Sequence, residues 1–561
     1  MPNPNSEQAL QTILREVKHA IRGLFPTNIK PQRLGLAISG GVDSMALATL
    51  TKIIKEDSTF PHTFTGFIVD HRLREDSSEE AILVAKSLKQ LDIEPMILNL
   101  DWNGHGDPRE LNNFESVART LRYQALGIAC AAKKIPHLIF GHHADDQAET
   151  VISRAIDGYT GLGLRGISSH APIPECQGIH GVDHSGSPRV SDGLERLQVP
   201  LQPKARMNYS LGGPKIAVEQ GGVSIHRPLL DYTKQQLKLI CHSYGTPWHE
   251  DVTNLDRTLT IRNSVRHLQE GSLLPTALLR PRAVETAEKV RRRKSRIEDD
   301  AQKMFEMTPI DLDLSSGKAV ATISKVCQER DDAPYDYHIK AAFVRKLLLL
   351  VSPGAYVSLQ DLDQCIDLVF ASSEMLDDSS PRDSHMTQVS GVLVIRAGTA
   401  RNALHRSITL QRQPPARAER EGAVKIRFVN PRGSWSQWLL WDHRYWIRVY
   451  EDVVARNGNT TMHVGHLTPG SLGALRKRLK NDGHSMLGLK QALSLVPEKV
   501  RWTVPAIVAR SEREDRVVGL PTLRWVDKCW ELGEFPLHSR RWEIRYKNID
   551  FPNKDCHKLI Q

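Results

Sequence analysis

Between residues 34 and 157, short apolar runs alternate with longer stretches of helical period. That alternation limits the fold more than any other feature of the chain. Leu34 to Ser39 (LGLAIS) stops at Gly40-Gly41, and Ser44 to Lys55 follows as a helix. Phe64 to Asp70 reads as a second strand, Ser78 to Leu91 as a second helix and Pro95 to Leu100 as a third strand. Asn113 to Lys133 is a long helix, His137 to His142 a fourth strand, and Asp146 to Asp157 opens another helix. Strands separated by helices of this length pair in parallel and are covered on both faces. The expected fold class is therefore α/β, a doubly wound parallel sheet. Ligands of such sheets sit at the carboxyl ends of the strands. Polar clusters fall at three of those ends: Ser39-Gly40-Gly41, Asp70-His71-Arg72 and Gly141-His142-His143.

Ser39-Gly40-Gly41-Val42-Asp43-Ser44 joins the first strand to its helix. The glycines let the backbone turn tightly and come close to a ligand. Free N–H groups at the helix start, with the helix dipole, favour an anion. Ser39 and Ser44 add hydroxyl donors. The GK[ST] ending of a Walker loop is absent, and so is GxGxxG. A plain strand–helix turn is the competing reading of a glycine pair. Asp43 would repel phosphate unless a cation stood between them, so it predicts Mg²⁺ held jointly by carboxylate and phosphate oxygens.

In this setting SGGVDS resembles the pyrophosphate (PP) loop of the N-type ATP pyrophosphatase superfamily. Its members bind ATP and split it between the α- and β-phosphates. Later motifs narrow the resemblance. Ile68-Val69-Asp70-His71-Arg72-Leu73-Arg74, followed by Ser77, Ser78, Glu79, Glu80 and Ala81, is similar to the VDHxLR segment of tRNA(Ile)-lysidine synthases. Asn113 to Tyr123, with Glu115, Ala118, Arg119 and Arg122, looks like their EAxARxxRY helix. Gly141 to Thr150 (GHHADDQAET) looks like their GHxxDDQxET signature. Arg227-Pro228-Leu229-Leu230, then Asp251, Asn254, Asp256, Arg262-Asn263 and Arg266, resemble a further family run. The resemblance covers roughly residues 30–270. It implies a ligase that adenylates cytidine 34 of a CAU-anticodon tRNA(Ile) at C2 with ATP and joins free L-lysine there. Its cofactors would be ATP and Mg²⁺. The rival readings are a tRNA thiolase of the same superfamily, which would normally bring CxxC cysteines, and a non-catalytic tRNA-binding protein with a relic ATP loop.

The candidate site residues follow. Ser39, Gly40, Gly41, Val42, Asp43, Ser44, Asp70 and His71 are expected at the nucleotide, and Asp43 and Asp146 at the metal. Asp43, His142, Asp146 and Arg119 are expected to act in the reaction, with His142 and Arg119 near the α-phosphate or the activated base. Glu115, Arg119, Arg122 and Tyr123 share one helix face. An exposed Glu115–Arg119 pair is the plainer reading of that spacing. Asp145 is expected to cap the helix that follows, which leaves Asp146 to face Asp43 across the top of the sheet. His142 could position the reacting groups or shuttle a proton. The competing reading of His142 and His143 is a strand-end pair with ordinary hydrogen bonds. Zinc is a weaker alternative, because a phosphate-bearing, oxygen-rich site suits Mg²⁺. The chain departs from the family pattern at Asp157 and Thr160, where the family usually has Arg and Gly.

Elsewhere the sequence says less. The chain has 561 residues, 40% hydrophobic and 25% charged, which fits two to four globular domains. No run of about 18 apolar residues occurs, so no spanning helix and no membrane partner are expected. Seven cysteines without a CxxC pair argue against a disulfide scaffold or a cysteine-ligated cluster. A net charge of +10 makes a polyanionic partner attractive. Residues 1–270 are read as the catalytic domain, with a Gly-, Ser-, Pro- and His-rich surface insertion at 168–223. Residues 271–410 are read as a basic helical tRNA-binding region, because Thr276 to Arg296 carries eight cations against Glu285 and Glu288. A break at Gln411 to Gly422 leads to a small mixed α/β domain over 423–561. There Trp435, Trp438, Trp441 and Trp446 are read either as core or as base-stacking residues. Leu472 to Lys480 is a basic helix. Ser6 to Leu24 is amphipathic. It is read as a mitochondrial import signal or as a helix packed on the first domain, with a cytoplasmic protein as the alternative. Assembly as a homodimer is left open by the sequence.

Overall fold

The computed structural model describes residues 4–25, 32–57, 59–73, 76–106, 108–185, 216–249, 261–271, 274–324, 329–330, 333–334, 336–359, 361–370, 385–397, 405–422, 424–426, 435–450, 461–482, 486–496, 499–510, 515–527 and 542–549. The chain forms two compact units. One comprises residues 1–190 and 221–296, the other residues 191–220 and 297–561.

The first unit is built on β1 (Arg33–Ile38), α2 (Val42–Lys55), β2 (Thr63–Asp70), α3 (Ser77–Gln90), β3 (Glu94–Asn99), α4 (Phe114–Lys133), β4 (His137–Phe140) and α5 (Ala144–Ile156), preceded by α1 (Pro4–Leu24). Each expected strand and helix between residues 34 and 157 is present, shifted by at most two residues at its ends. After α5 come β5 (His170–Pro172), β6 (Ala217–Val218), β7 (Ser224–His226), α6 (Lys234–Ser243), α7 (Ile261–Glu270) and α8 (Arg280–Met307). The sheet order is β3-β2-β1-β4-β7-β5, parallel except for β5. The order reverses between β1 and β4, which makes a crevice at their carboxyl ends.

Both faces of this sheet are covered. On one side the side chains of α1, α2, α3 and α6 form a single buried cluster that includes Val17, Met45, Leu47, Val84 and Leu237. On the other, Tyr123, Leu126 and Cys130 of α4 pack with Phe67, Leu138 and Ile225. Buried strands of this kind read as near-continuous apolar runs, which is why LGLAIS was legible. The apolar stripe of α1 (Leu10, Ile13, Val17 and Ile21) lies in the first cluster, so this helix is packed on its domain.

The insertion differs from expectation. Ile173, Cys176, Val182 and Val223 are buried against α4 and the sheet, so the ends of 168–223 are core rather than surface. Val182 is held close because Gly127 of α4 leaves room for it: a Cβ there would meet Val182 Cγ1 at 2.3 Å. Residues 186–215 lie outside the described residues.

In the second unit the stretch expected to be helical holds Tyr337–Val351 and Asp363–Phe370 as helices. It also contains a five-stranded antiparallel sheet of Met386–Val389, Val392–Arg396, His405–Arg412, Lys318–Ser324 and Ile310–Asp313. Strict alternation in Lys318–Ser324, burial following every second residue, is the strand period that the basic run before it drew attention away from. The Gln411–Gly422 break lies inside this unit. The later residues form two further sheets, one of five strands and one of four, with helices Pro469–Asn481 and Leu487–Ser494. The four-stranded sheet includes β6, which pairs in parallel with Trp542–Tyr546.

Trp441 and Trp446 are buried at 3% and 0% exposure, as the core reading has it. Trp435 and Trp438 are half-buried and face guanidiniums. The Arg448 carbon lies 4.7 Å from each ring centroid, and that of Arg545 4.9 Å from Trp438. Arg448 is bonded to Glu543 and Arg545 to Glu219. These indoles are bound into a cation–π stack, which favours a structural role over stacking on bases.

Candidate active site

The loop after β1 turns through Gly40, whose φ is +87°. A Cβ at Gly40 would also meet Val84 Cγ2 at 2.6 Å, so both backbone conformation and space require glycine. Gly41 stands at the N-cap of α2, which has no side-chain cap there. Its first amides are thus left to an outside acceptor. Ser39 N donates to Ser44 Oγ at 3.2 Å, Ser44 Oγ donates to Gly41 O at 3.0 Å, and the two serine hydroxyls are 3.2 Å apart. The two hydroxyls therefore hold the loop closed on itself. His249 N braces it from outside through Gly40 O at 3.0 Å. Val42 contributes only backbone, since its side chain is 3% exposed.

The neighbouring strand end meets this loop directly. Gly141 follows β4, and a Cβ there would lie 2.8 Å from Asp43 O and 3.2 Å from Ser44 N. Glycine at this position is what allows the β1 and β4 ends to close on each other. Beyond it, His143 caps α5, with its Nδ1 3.2 Å from Asp145 N. Asp146 Oδ2 reciprocates by accepting from His143 N at 3.0 Å. The expected cap, Asp145, does other work. Its carboxylate accepts from Lys234 N at 2.9 Å and pairs with Arg280 of α8. Sequence reasoning missed His143 here because Ser, Thr, Asp and Asn are the usual caps.

His143 is 3% exposed and lies between acids. Its Nε2 is 3.4 Å from Asp43 Oδ2 and 3.7 Å from Asp146 Oδ2, and its Nδ1 is 3.4 Å from Asp145 Oδ2. Burial opposes charge on the ring. The Asp145 and Asp43 carboxylates, with Asp146, outweigh it and push the pKa up to about 10. Neutral, Nδ1 caps the helix; charged, it pairs with the Asp145 carboxylate. The structure thus brings Asp43 and Asp146 to one nitrogen, as expected of two acids from neighbouring strand ends. Among the described residues, Asp43 Oδ1 is shut off from solvent and has no hydrogen-bond partner. An orphaned carboxylate oxygen at the mouth of a phosphate-sized loop fits a divalent cation. Among the described residues no cluster of three or more His, Cys, Asp or Glu is arranged to hold a metal alone.

His142 has a different setting. Its ring stacks on Phe140, centroids 5.5 Å apart, and Nδ1 accepts from Arg227 Nε at 3.2 Å. Burial, with Arg227 and Arg122 nearby and against the pull of Asp146, lowers its pKa to about 4. The ring is neutral at physiological pH. Arg227 is 8% exposed and stood out in the sequence only as part of a motif. Arg119 lies on the α4 face with Tyr123, its guanidinium carbon 4.7 Å from that ring centroid. Its ion-pair partner is Glu175, at 3.4 Å, in the insertion. The exposed-pair reading had the right kind of interaction with the wrong acid.

Asp70, expected at the nucleotide, is held by donors of its own turn. Its oxygens accept from Arg72 N at 2.9 Å, Ser77 Oγ at 2.8 Å and Ser78 Oγ at 2.7 Å. Burial works against the charge, and those three donors overcome it and hold the carboxyl below its usual range. Asp70 therefore shapes the turn from β2 to α3, in which Arg72 adopts φ +53°. His71 is half-buried, and its carbonyl accepts from Trp102 Nε1 at 3.0 Å. Two further pairs fix the rear of the site. Arg266 grips Glu149 through Nε–Oε1 at 2.8 Å and Nη2–Oε2 at 3.2 Å, tying α7 to α5. Ala283 and Ala287 of α8 pack on Ala148 and Val151 of α5. The motif residues Asp251, Asn254 and Asp256 lie outside the described residues, as do the side chains of Arg262 and Asn263.

Comparison with known proteins agrees with this geometry. A family model described as a PP-loop domain matches residues 6–180 and 191–270. A Schizosaccharomyces pombe protein named "Probable tRNA(Ile)-lysidine synthase" is 28% identical over 499 residues, 88% of this chain and 91% of that protein. The tRNA(Ile)-lysidine synthase of Exiguobacterium sibiricum is 30% identical over 258 residues, 46% of each chain. That of Chlamydia trachomatis is 32% identical over 188 residues, 34% of this chain and 56% of its own. The chain spans about half the length of these bacterial relatives. The glycine loop at the switch point and the two acids that meet beside it lie within the residues matched by the PP-loop domain model, and along nearly the whole chain the sequence is similar to a protein named as a probable tRNA(Ile)-lysidine synthase.

Proposed function

We propose that the protein is an ATP-dependent carbon–nitrogen ligase that makes lysidine in the CAU anticodon of tRNA(Ile). The O2 of cytidine 34 attacks the α-phosphate of ATP and pyrophosphate leaves. The ε-amine of free L-lysine then attacks C2, and AMP departs with the oxygen. The observation that carries this reading is the meeting of Asp43 and Asp146 beside a loop whose helix amides lack a side-chain cap.

In this reading the Gly40-Gly41 backbone, Ser39, Ser44 and the α2 amides hold the leaving pyrophosphate. Asp43 and Asp146 hold Mg²⁺, which when bound neutralises charge on the phosphates. His142, neutral, offers a hydrogen bond to an oxygen near the reacting centre. Arg119 and Arg122 supply positive charge from α4 for the α-phosphate or for RNA. Catalysis is then mostly positioning and charge stabilisation. The basic first half of α8 suits an RNA backbone: Arg282, Lys289 and Arg292 are well exposed.

The thiolase alternative lacks support, because the four cysteines among the described residues are buried and free and the sequence has no CxxC. A mitochondrial site of action is retained as a proposal, as is a homodimer. A full-length fluorescent fusion tests the first: mitochondrial signal supports it and cytosolic signal contradicts it. Sedimentation of the purified chain tests the second. The activity itself is tested by ATP-dependent transfer of labelled lysine into an unmodified CAU-anticodon tRNA(Ile) transcript. Consumption of ATP without transfer would contradict the reading.

A further inference from the structure

We propose that Arg227 is a positioning residue for this reaction: it fixes the tautomer of His142 and ties that ring to the end of the glycine-rich loop 158–167. The inference rests on the reading of the site given above.

Three bonds carry it. Arg227 Nε donates to His142 Nδ1 at 3.2 Å, Nη1 donates to Ser168 O at 2.8 Å, and the backbone N donates to Ser169 O at 2.8 Å. An arginine Nε–H can only donate. His142 Nδ1 is therefore the acceptor, and the hydrogen of the neutral ring sits on Nε2. The ring plane is set as well, because Phe140 stacks on it at 19°. A ring held in this way presents a donor, which argues against the proton-shuttle role and for a bond to an oxygen.

The other end of the linkage is equally defined. Gln147 of α5 grips Ile167 with both ends of its amide, accepting from Ile167 N at 2.7 Å and donating to Ile167 O at 2.8 Å. Arg154 Nη1 donates to Gly166 O at 2.9 Å. Gly166 has φ +64°, and a Cβ there would lie 2.2 Å from Gln147 Oε1. Thus α5 pins residues 163–167, and Arg227 takes up the chain at Ser168. A displacement of this loop reaches His142 through one guanidinium. The loop also holds Thr160, and Asp157 stands just before it. At these two positions the sequence departs from the motif that it otherwise resembles.

The test compares full-length Arg227→Gln, Arg227→Lys, His142→Gln and the Arg227→Gln/His142→Gln double variant. Lysine transfer and ATP–pyrophosphate exchange are measured, with thermal unfolding as the folding control. Selectively ¹⁵N-labelled histidine reads the tautomer directly, the His142 signals being those that vanish in His142→Gln. The wild-type ring is expected to show an acceptor Nδ1 and a protonated Nε2, and Arg227→Gln a mixture of tautomers. Arg227→Gln is expected to lower kcat about 100-fold, the scale of a small misplacement. KM for ATP should stay within about threefold, and the double variant should be no slower than the slower single. Lysine keeps the charge without the fork, so Arg227→Lys should behave like Arg227→Gln. A proton on Nδ1 of wild-type His142, multiplying losses in the double variant, or full activity in Arg227→Lys would each overturn the proposal. The tautomer needs no turnover to be seen. A wild-type chain that transfers no lysine would therefore sink the proposed activity while the spectrum still decides the role of Arg227.

Discussion

Asp43 and Asp146 meet on one imidazole: His143 Nε2 stands 3.4 Å from an oxygen of the first and 3.7 Å from an oxygen of the second. The two acids come from the first turns of α2 and α5, the helices that follow β1 and β4, adjacent strands at which the sheet order reverses. Sheet topology therefore creates the juxtaposition, and Gly141 lets it close.

Asp146→Asn separates charge from architecture. Asparagine still offers an oxygen to His143 N, so the α5 cap survives. Pyrophosphate exchange is expected to fall at least about 100-fold, while affinity for tRNA changes little. Asp43→Asn should behave alike. Normal exchange in either variant, or a large loss of tRNA affinity, would contradict the assigned role.

Gly141→Ala tests the closure itself. The added methyl would press on the Asp43 carbonyl at 2.8 Å, so α2 and β4 must part. ATP turnover is expected to drop by an order of magnitude or more, with a lowered unfolding midpoint. Unchanged turnover would mean that the strand ends do not need this contact.

Exposed cations of α8 are expected to lie along RNA backbone. Replacing Arg282, Lys289 and Arg292 together by glutamine should weaken tRNA binding uniformly across sequences. The slope of log affinity against log salt should become shallower by about 0.7–0.9 for each phosphate that is no longer neutralised. An unchanged slope would leave the helix as a solvated face, held by its pairs to Glu285 and Glu288.

Much of this was legible in the sequence. Strands buried on both faces are apolar throughout, so β1, β2 and β4 announced themselves, and the glycine loop between β1 and α2 carried its chemistry in six residues. What remained hidden depends on partners far away in the chain. Whether Asp145 or His143 caps α5 is decided by Lys234 and Arg280, which draw Asp145 away. Arg119 meets Glu175, and Arg227 meets His142, only because β7 and the insertion fold back beside β4. The sheet over 310–412 was overlooked because its strands are short and its neighbours strongly basic or helical. The bonds that Ser77 and Ser78 donate to Asp70 come from the next helix and have no mark in the strand that carries Asp70.

In the second unit a charged cluster is buried. Arg444, 0% exposed, bonds Asp442 at 2.8 Å, and Asp442 also pairs with Arg412 at 3.2 Å. Asp442→Ala leaves the buried Arg444 without its carboxylate, while Arg412 keeps Glu419 at 3.0 Å, and should destabilise the unit by about 3–5 kcal/mol. Urea unfolding checks this; a loss below about 1 kcal/mol would contradict it.

Lys547 supplies a pH signature. Burial first, then Arg444 and against Asp442, lowers its pKa to about 7, and Nζ donates to Ser352 O at 2.9 Å. An unfolded lysine titrates near about 10.4. Between those values the unfolded chain binds more protons, so stability rises with pH, by up to about 1.4 kcal/mol per unit. Lys547→Met should remove that contribution, so the urea midpoints of the two proteins should converge as pH is raised from about 7 to about 10. Parallel curves would contradict the assignment.

The central claim is a shared ion above the switch point of the sheet. A crystal structure with Mg²⁺ and a non-hydrolysable ATP analogue tests it most directly. The account predicts the triphosphate over residues 39–44, with Asp43 and Asp146 on one magnesium. A triphosphate bound elsewhere, or the two carboxylates turned to separate partners, would contradict it.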